Sequence, residues 1–200
     1  MLTLANQLTI CRMATIPLLI TLLLSNHHGW AFVVFLLAGL TDALDGIIAR
    51  RWQQSSRLGA FLDPMADKLL MTACFIVLAL PDHPKSVPDF VITNHLPIYL
   101  TIVAISRDVF IVSIALLVHL TSGMIHFKPT VLGKLTTGVQ LITIGTVLLL
   151  NWLRVEALFV VGALCWLTLA MTLASGLHYI YYATRIGTPE PAGKDPARRP

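Results

Sequence analysis

Between residues 42 and 67 the chain reads Asp42-x-x-Asp45-Gly46-x-x-Ala49-Arg50 and, eight residues later, Gly59-x-x-x-Asp63-x-x-x-Asp67. Asp42 and Asp45 are three residues apart and Asp63 and Asp67 four apart, so each pair shares one face of a helix. Four like charges cannot satisfy one another, and an ionised group in an apolar setting needs a partner or a task. Carboxylates grouped in this way suit a hard divalent cation, and a cation so held suits phosphate chemistry.

The setting is apolar. Of 200 residues, 56% are hydrophobic and only 12% charged, against about 25% charged in soluble domains, and the mean hydropathy is +0.78. The composition predicts an all-α, polytopic membrane protein. Six apolar stretches, near 5–25, 31–50, 58–80, 96–120, 130–152 and 156–182, are each long enough to cross about 30 Å of hydrocarbon. Short connections predict that consecutive helices are antiparallel neighbours. The first stretch starts with Asn6, Gln7, Thr9 and Arg12, which predicts a short N-terminal interfacial segment bending into the membrane, with Pro17 as a kink. Residues 1–186 form the membrane domain, and 187–200, rich in Pro, Gly and charge, read as a disordered tail. The N-terminus lacks the features of a cleavable signal peptide. Cys11, Cys74 and Cys165 lie in apolar runs without metal-ligand spacing and read as small apolar residues. Arg50, Arg51 and Arg57, Lys128, and Arg185, Lys194, Arg198 and Arg199 fall on one side of such a bundle. The positive-inside rule puts that side, both termini and the 42–67 region in the cytoplasm. The net charge of +4 suits anionic headgroups better than nucleic acid.

Two antiparallel helices joined by the loop 51–57 bring the acids to matched depths. Asp45 is six residues before Arg51 and Asp63 six after Arg57, while Asp42 is nine before and Asp67 ten after. At 1.5 Å per residue the two levels lie about 9 and 14 Å below the loop. That is near the headgroup–acyl boundary, where a lipid headgroup enters sideways and a soluble nucleotide from the cytoplasm. Gly46 and Gly59 sit beside the acids and allow close approach of backbone or ligand. Ion pairing with Arg50, Arg51, Arg57 and Lys68 alone accounts poorly for the matched depths and the glycines.

The stretch fills all eight fixed positions of D-x2-D-G-x2-A-R-x8-G-x3-D-x3-D with no gap and so resembles the CDP-alcohol phosphatidyltransferase family. The resemblance implies six membrane helices and transfer of a phosphatidyl or similar group from a CDP-linked donor to an alcohol, with release of CMP. It implies that Asp42, Asp45, Asp63 and Asp67 hold one or two divalent metals, Mg2+ or Mn2+, that Asp67 acts as general base, and that Asp42, Gly46, Ala49, Arg50, Gly59 and Asp63 line the CDP moiety. It also implies a homodimer in a bacterial inner membrane or its organellar equivalent.

Within the family, Asn6-Gln7-Leu8-Thr9-x-x-Arg12 resembles the opening of glycerol-type members, although the usual Pro before the Asn is Ala5. The segments Arg107-Asp108-Val109 and Lys128-Pro129-Thr130-x-x-Gly133-Lys134 are similar to cardiolipin synthases of the CMP-forming type. The acceptor is then phosphatidylglycerol, with glycerol 3-phosphate, used by the phosphatidylglycerophosphate synthases, as the alternative. Arg107 and Lys134 are the candidates for the acceptor phosphate. A mid-helix Arg next to Asp108 could form a buried structural pair, but adjacent side chains are expected to diverge and to leave Arg107 open to a ligand. The rival classes fit less well. A membrane prenyltransferase carries two acidic motifs far apart in sequence, and a cation transporter is expected to show acids near the midplane and inverted repeats.

Overall fold

A computed structural model describes residues 4–52, 57–81, 90–122 and 130–186, with side chains for 11–41, 66–81, 90–114 and 130–181. Among these residues the chain is all-helical: α1 (Leu4–Leu24), α2 (His28–Trp52), α3 (Arg57–Leu78), α4 (Ile98–Ser122), α5 (Val131–Leu153) and α6 (Leu158–Ile186). Each helix covers one of the six apolar stretches. The tail 187–200 lies outside the described residues, as do 53–56, 82–89 and 123–129.

The expected interfacial segment is not a separate element, because α1 runs unbroken from Leu4 through Pro17 to Leu24. The polar residue that suggested a headgroup location turns inward instead. Arg12 is buried, with 3% of its surface exposed, in a helix that packs on both α2 and α3. Consecutive order also does not dictate every contact. Among the described residues α4 packs on α6 and α3 rather than on α5, while α5 packs on α2, α3 and α6. The α2–α3 hairpin around the acids lies outside the residues whose side chains are described.

Apolar packing and polar zips share the interior. Leu19, Leu23, Phe75, Leu78, Leu100, Ile144 and Leu148 are fully buried or nearly so. Along the α5–α6 contact, Thr136, Gln140 and Thr143 recur at i, i+4 and i+7 opposite Thr168, Thr172 and Ser175 at the same spacing, and all six are buried. The Thr143 and Thr168 hydroxyls are 2.8 Å apart, and Thr136 donates to the Met171 carbonyl at 3.1 Å. Small hydroxyl residues of this kind hold helices together where hydrocarbon offers no hydrophobic drive.

Residues 90–97 close one end of the bundle through a buried asparagine pair. The Asn94 N–H donates to Asn151 Oδ1 at 2.7 Å, Asn94 Nδ2 to the Val155 carbonyl at 2.8 Å, and the Ala157 N–H to Asn94 Oδ1 at 3.2 Å. Asn94→Ala removes the side-chain bonds to the part-buried Val155 carbonyl and Ala157 N–H, at a cost of about 1 kcal/mol per bond. Thermal unfolding in detergent should show a lowered melting temperature. A variant melting with the wild type would mean that this end is held by its apolar contacts alone.

The exterior is apolar. Leu37, Ile102, Phe159, Trp166 and Leu177 all show at least 55% of their surface, as suits a protein in lipid rather than water. Among the described residues Val131–Leu153 and Leu158–Tyr181 are long and apolar enough to cross a bilayer, and Cys11–Leu24 and His28–Thr41 are shorter apolar stretches.

Candidate active site

The helical backbone of α2 runs through Asp42, Asp45, Gly46, Ala49 and Arg50, and that of α3 through Gly59, Asp63 and Asp67. The spacing of the signature required this. The side chains of residues 42–65 lie outside the described ones, and with them three expected metal ligands, Asp42, Asp45 and Asp63, and the expected CDP-lining positions Gly46, Ala49, Arg50 and Gly59. Among the described residues no three metal-ligating side chains meet.

The fourth acid, Asp67, is described. It is half-buried on α3 beside fully buried Ala66. The next residue, Lys68, points the site toward α4. Its Nζ lies 2.6 Å from Asp108 Oδ1, and the same oxygen accepts from Arg107 Nη1 at 2.7 Å. Here the sequence expectation fails. Adjacent side chains on a helix leave in different directions, but the guanidinium is long enough to fold back over one residue and pair. Arg107 is also held from α6, because its Nη2 donates to Ser175 Oγ at 2.6 Å. Its Nε is buried and has no hydrogen-bond partner among the described residues.

Lys68, Arg107 and Lys134 line one pocket of about 190 Å³, together with Thr130, Gly133 and Tyr179. The N-cap of α5 shapes its rim. The Thr130 side chain accepts from the Gly133 N–H at 3.2 Å. A Cβ on Gly133 would sit 3.2 Å from Thr130 Oγ1 and 3.3 Å from Arg107 Nη2, so glycine gives the first turn of α5 its close approach to the guanidinium, and a larger residue would push these side chains aside. The structure therefore brings together the two residues expected to hold the acceptor phosphate, Arg107 and Lys134, and adds Lys68. Lys134 is exposed at the rim, while Arg107 is the buried member, 8% exposed. With three cations and one carboxylate the pocket favours an anion. Sequence reasoning missed Ser175, whose signal is the hydroxyl periodicity of α6, and missed Asp108 as a clamp on two cations. A larger cavity, about 390 Å³, opens at the opposite end of α5 around His28, Trp152 and Arg154. Its lining holds one arginine and no residue of the signature helix α3, whereas the smaller pocket gathers three cations, one of them Lys68 next to Asp67, so an anion site is assigned to the smaller pocket.

Comparison with known proteins identifies the family. The family model described as CDP-alcohol phosphatidyltransferase matches residues 2–174. The chain belongs to the CDP-alcohol phosphatidyltransferase family. The matched span contains the whole signature on α2 and α3 and every cationic residue of the pocket. A probable cardiolipin synthase (CMP-forming) of Drosophila melanogaster is 34% identical over 89% of this chain and 56% of its own length. The cardiolipin synthase (CMP-forming) of Homo sapiens is 31% identical over 92% of this chain and 62% of its own. The CDP-diacylglycerol–glycerol-3-phosphate 3-phosphatidyltransferase of Bacillus subtilis is 29% identical over 90% of this chain and 94% of its own length. The chain thus spans less than two thirds of the two animal relatives and nearly all of the bacterial one. Its relatives fall on both sides of the acceptor choice.

Proposed function

We propose that this chain transfers the phosphatidyl group of CDP-diacylglycerol to the hydroxyl of phosphatidylglycerol, releasing CMP and forming cardiolipin. The observation that carries the reading is the adjacency of Asp67 and Lys68. The last acid of the donor signature is followed at once by a cation of the anion pocket, so donor and acceptor phosphates are served from one turn of α3.

In this reading the acceptor phosphate rests against Arg107, with Lys134 at the rim. That places the acceptor hydroxyl near Asp67, which takes its proton as the oxygen attacks the lipid-bearing phosphorus. The P–O bond to the CMP phosphate breaks in line, and CMP leaves with the bridging oxygen. Asp42, Asp45, Asp63 and Asp67 form an all-oxygen donor set of the kind that holds Mg2+ or Mn2+. A metal bound there supplies charge stabilisation for the pyrophosphate leaving group. Gly46, Ala49, Arg50 and Gly59 line the CDP moiety. All six helices cross the membrane in this reading, with both termini and the site on the cytoplasmic side, and two copies of the chain associate as a homodimer.

A second acceptor, glycerol 3-phosphate, is favoured by the Bacillus subtilis relative, which matches along almost its full length. Against it, Asp108 occupies two of the three pocket cations, which leaves less free positive charge for a dianion than for a phosphodiester. Purified protein given CDP-diacylglycerol, Mg2+ and either acceptor separately decides the matter by CMP release. CMP with phosphatidylglycerol supports the proposal. CMP with glycerol 3-phosphate alone reverses the acceptor, and no CMP with any alcohol removes the enzyme reading.

A further inference from the structure

Arg107 lines two spaces. One is the cationic pocket. The other is a groove of about 400 Å³ between α4 and α6 with an almost wholly apolar wall, formed by Val103, Phe110, Leu173, Leu177 and Ile180. The α4 members recur at i and i+7 and those of α6 at i, i+4 and i+7, so each helix contributes one stripe. The stripe is about 10–12 Å long at 1.5 Å per residue. Phe110, Leu173, Leu177 and Ile180 are 40–68% exposed, so the groove opens sideways toward the surroundings of the bundle. Its floor is Gly176, where an added Cβ would meet nothing within 4 Å.

We infer that this groove seats one acyl chain of the acceptor phospholipid, whose phosphodiester sits on Arg107. The inference rests on the phosphatidylglycerol reading above and extends it from headgroup to chain. Arg107 is fifteen residues before the end of α4 at Ser122, about 22 Å along the helix from it, and is buried among helices, its Nε without a hydrogen-bond partner among the described residues. A lipid phosphate reaches that depth only if its chains have a lateral exit between helices. Lipid tails are as apolar as the leucines they would displace, so the groove itself gains little from holding one. The attraction comes from the anionic phosphate on the guanidinium, and the groove removes the steric bar. A soluble acceptor such as glycerol 3-phosphate has no use for such an exit.

Gly176→Phe sets a ring at the groove on a Cβ that meets nothing within 4 Å. The KM for phosphatidylglycerol should rise about tenfold or more, the effect of a mis-sized apolar site. The KM for CDP-diacylglycerol should stay unchanged, and so should turnover with the chain-free acceptor glycerophosphoglycerol. Gly162→Phe, on the same helix and also in open space, should behave as wild type. An unchanged KM for phosphatidylglycerol overturns the groove while leaving the acceptor reading intact, and a rise for CDP-diacylglycerol instead overturns it in favour of a donor chain. Wild-type protein that does not use phosphatidylglycerol at all overturns the acceptor reading itself. Should Gly176→Phe fail to fold, phosphatidylglycerol carrying a photoreactive acyl chain tests wild-type protein. Crosslinks within 103–110 and 172–180 that unlabelled phosphatidylglycerol competes away support the groove, and crosslinks elsewhere only refute it.

Discussion

Asp67→Asn is expected to lower CMP release by about 10²- to 10⁴-fold, the usual worth of a positioned general base. The substitution keeps the size and hydrogen-bonding reach of the side chain and removes its ability to take a proton. Asp67 is half-buried on α3, between the fully buried Ala66 and Lys68 with its ion pair to Asp108. Its backbone position is fixed from both sides, so loss of turnover reports chemistry rather than movement of the helix. CDP-diacylglycerol binding, measured at equilibrium, should fall much less than turnover, because the proposed reading assigns the nucleotide largely to the other signature positions. Raising Mg2+ separates the two roles assigned to this carboxylate. Recovery of turnover at high Mg2+ would point to Asp67 as a metal ligand first, and failure to recover to its role as base. Turnover equal to wild type would end both assignments.

The donor motif could be read before any coordinates, because its residues lie in one continuous stretch, although the side chains of residues 42–65 lie outside the described ones. A helix has a fixed repeat, so the i, i+3 and i, i+4 acids and the small residues beside them declare their shared faces directly. The six helices were legible for a similar reason: each is a long apolar run between polar turns. What escaped depends on tertiary reach. Arg12 at the polar start of α1 looks like a headgroup residue, and only the packing of α1 on α2 and α3 makes it an interior one. Arg107 and Asp108 diverge at Cβ, and the length of a guanidinium, not helix geometry, lets them pair. Ser175 is remote from both in sequence and joins them because α4 packs on α6, which chain order does not predict. The cationic pocket is assembled from four helices, and no local pattern encodes that assembly.

That assembly makes Arg107 the most informative residue to change. Arg107→Met keeps the apolar stem that packs between α4 and α6 and removes the charge. A hydrogen bond from a charged group is worth about 1.5–3 kcal/mol, so the KM for the acceptor should rise roughly 10- to 150-fold. The KM for CDP-diacylglycerol should move little, since no donor-signature position contacts Arg107 through the bonds described. Arg107→Lys should restore only part of the loss. A lysine has one compact cationic centre, whereas the guanidinium reaches Asp108 and Ser175 at once and still presents Nε. In both variants Asp108 retains Lys68, so the clamp between α3 and α4 survives and the fold should hold. Steady-state kinetics with each substrate varied in turn, beside a melting curve, distinguishes the possibilities. An effect confined to the acceptor assigns Arg107 to its phosphate. Equal losses for donor and acceptor with an unchanged melting temperature would place Arg107 on the shared chemistry instead, and a large drop in melting temperature would make it a structural tie between α4 and α6.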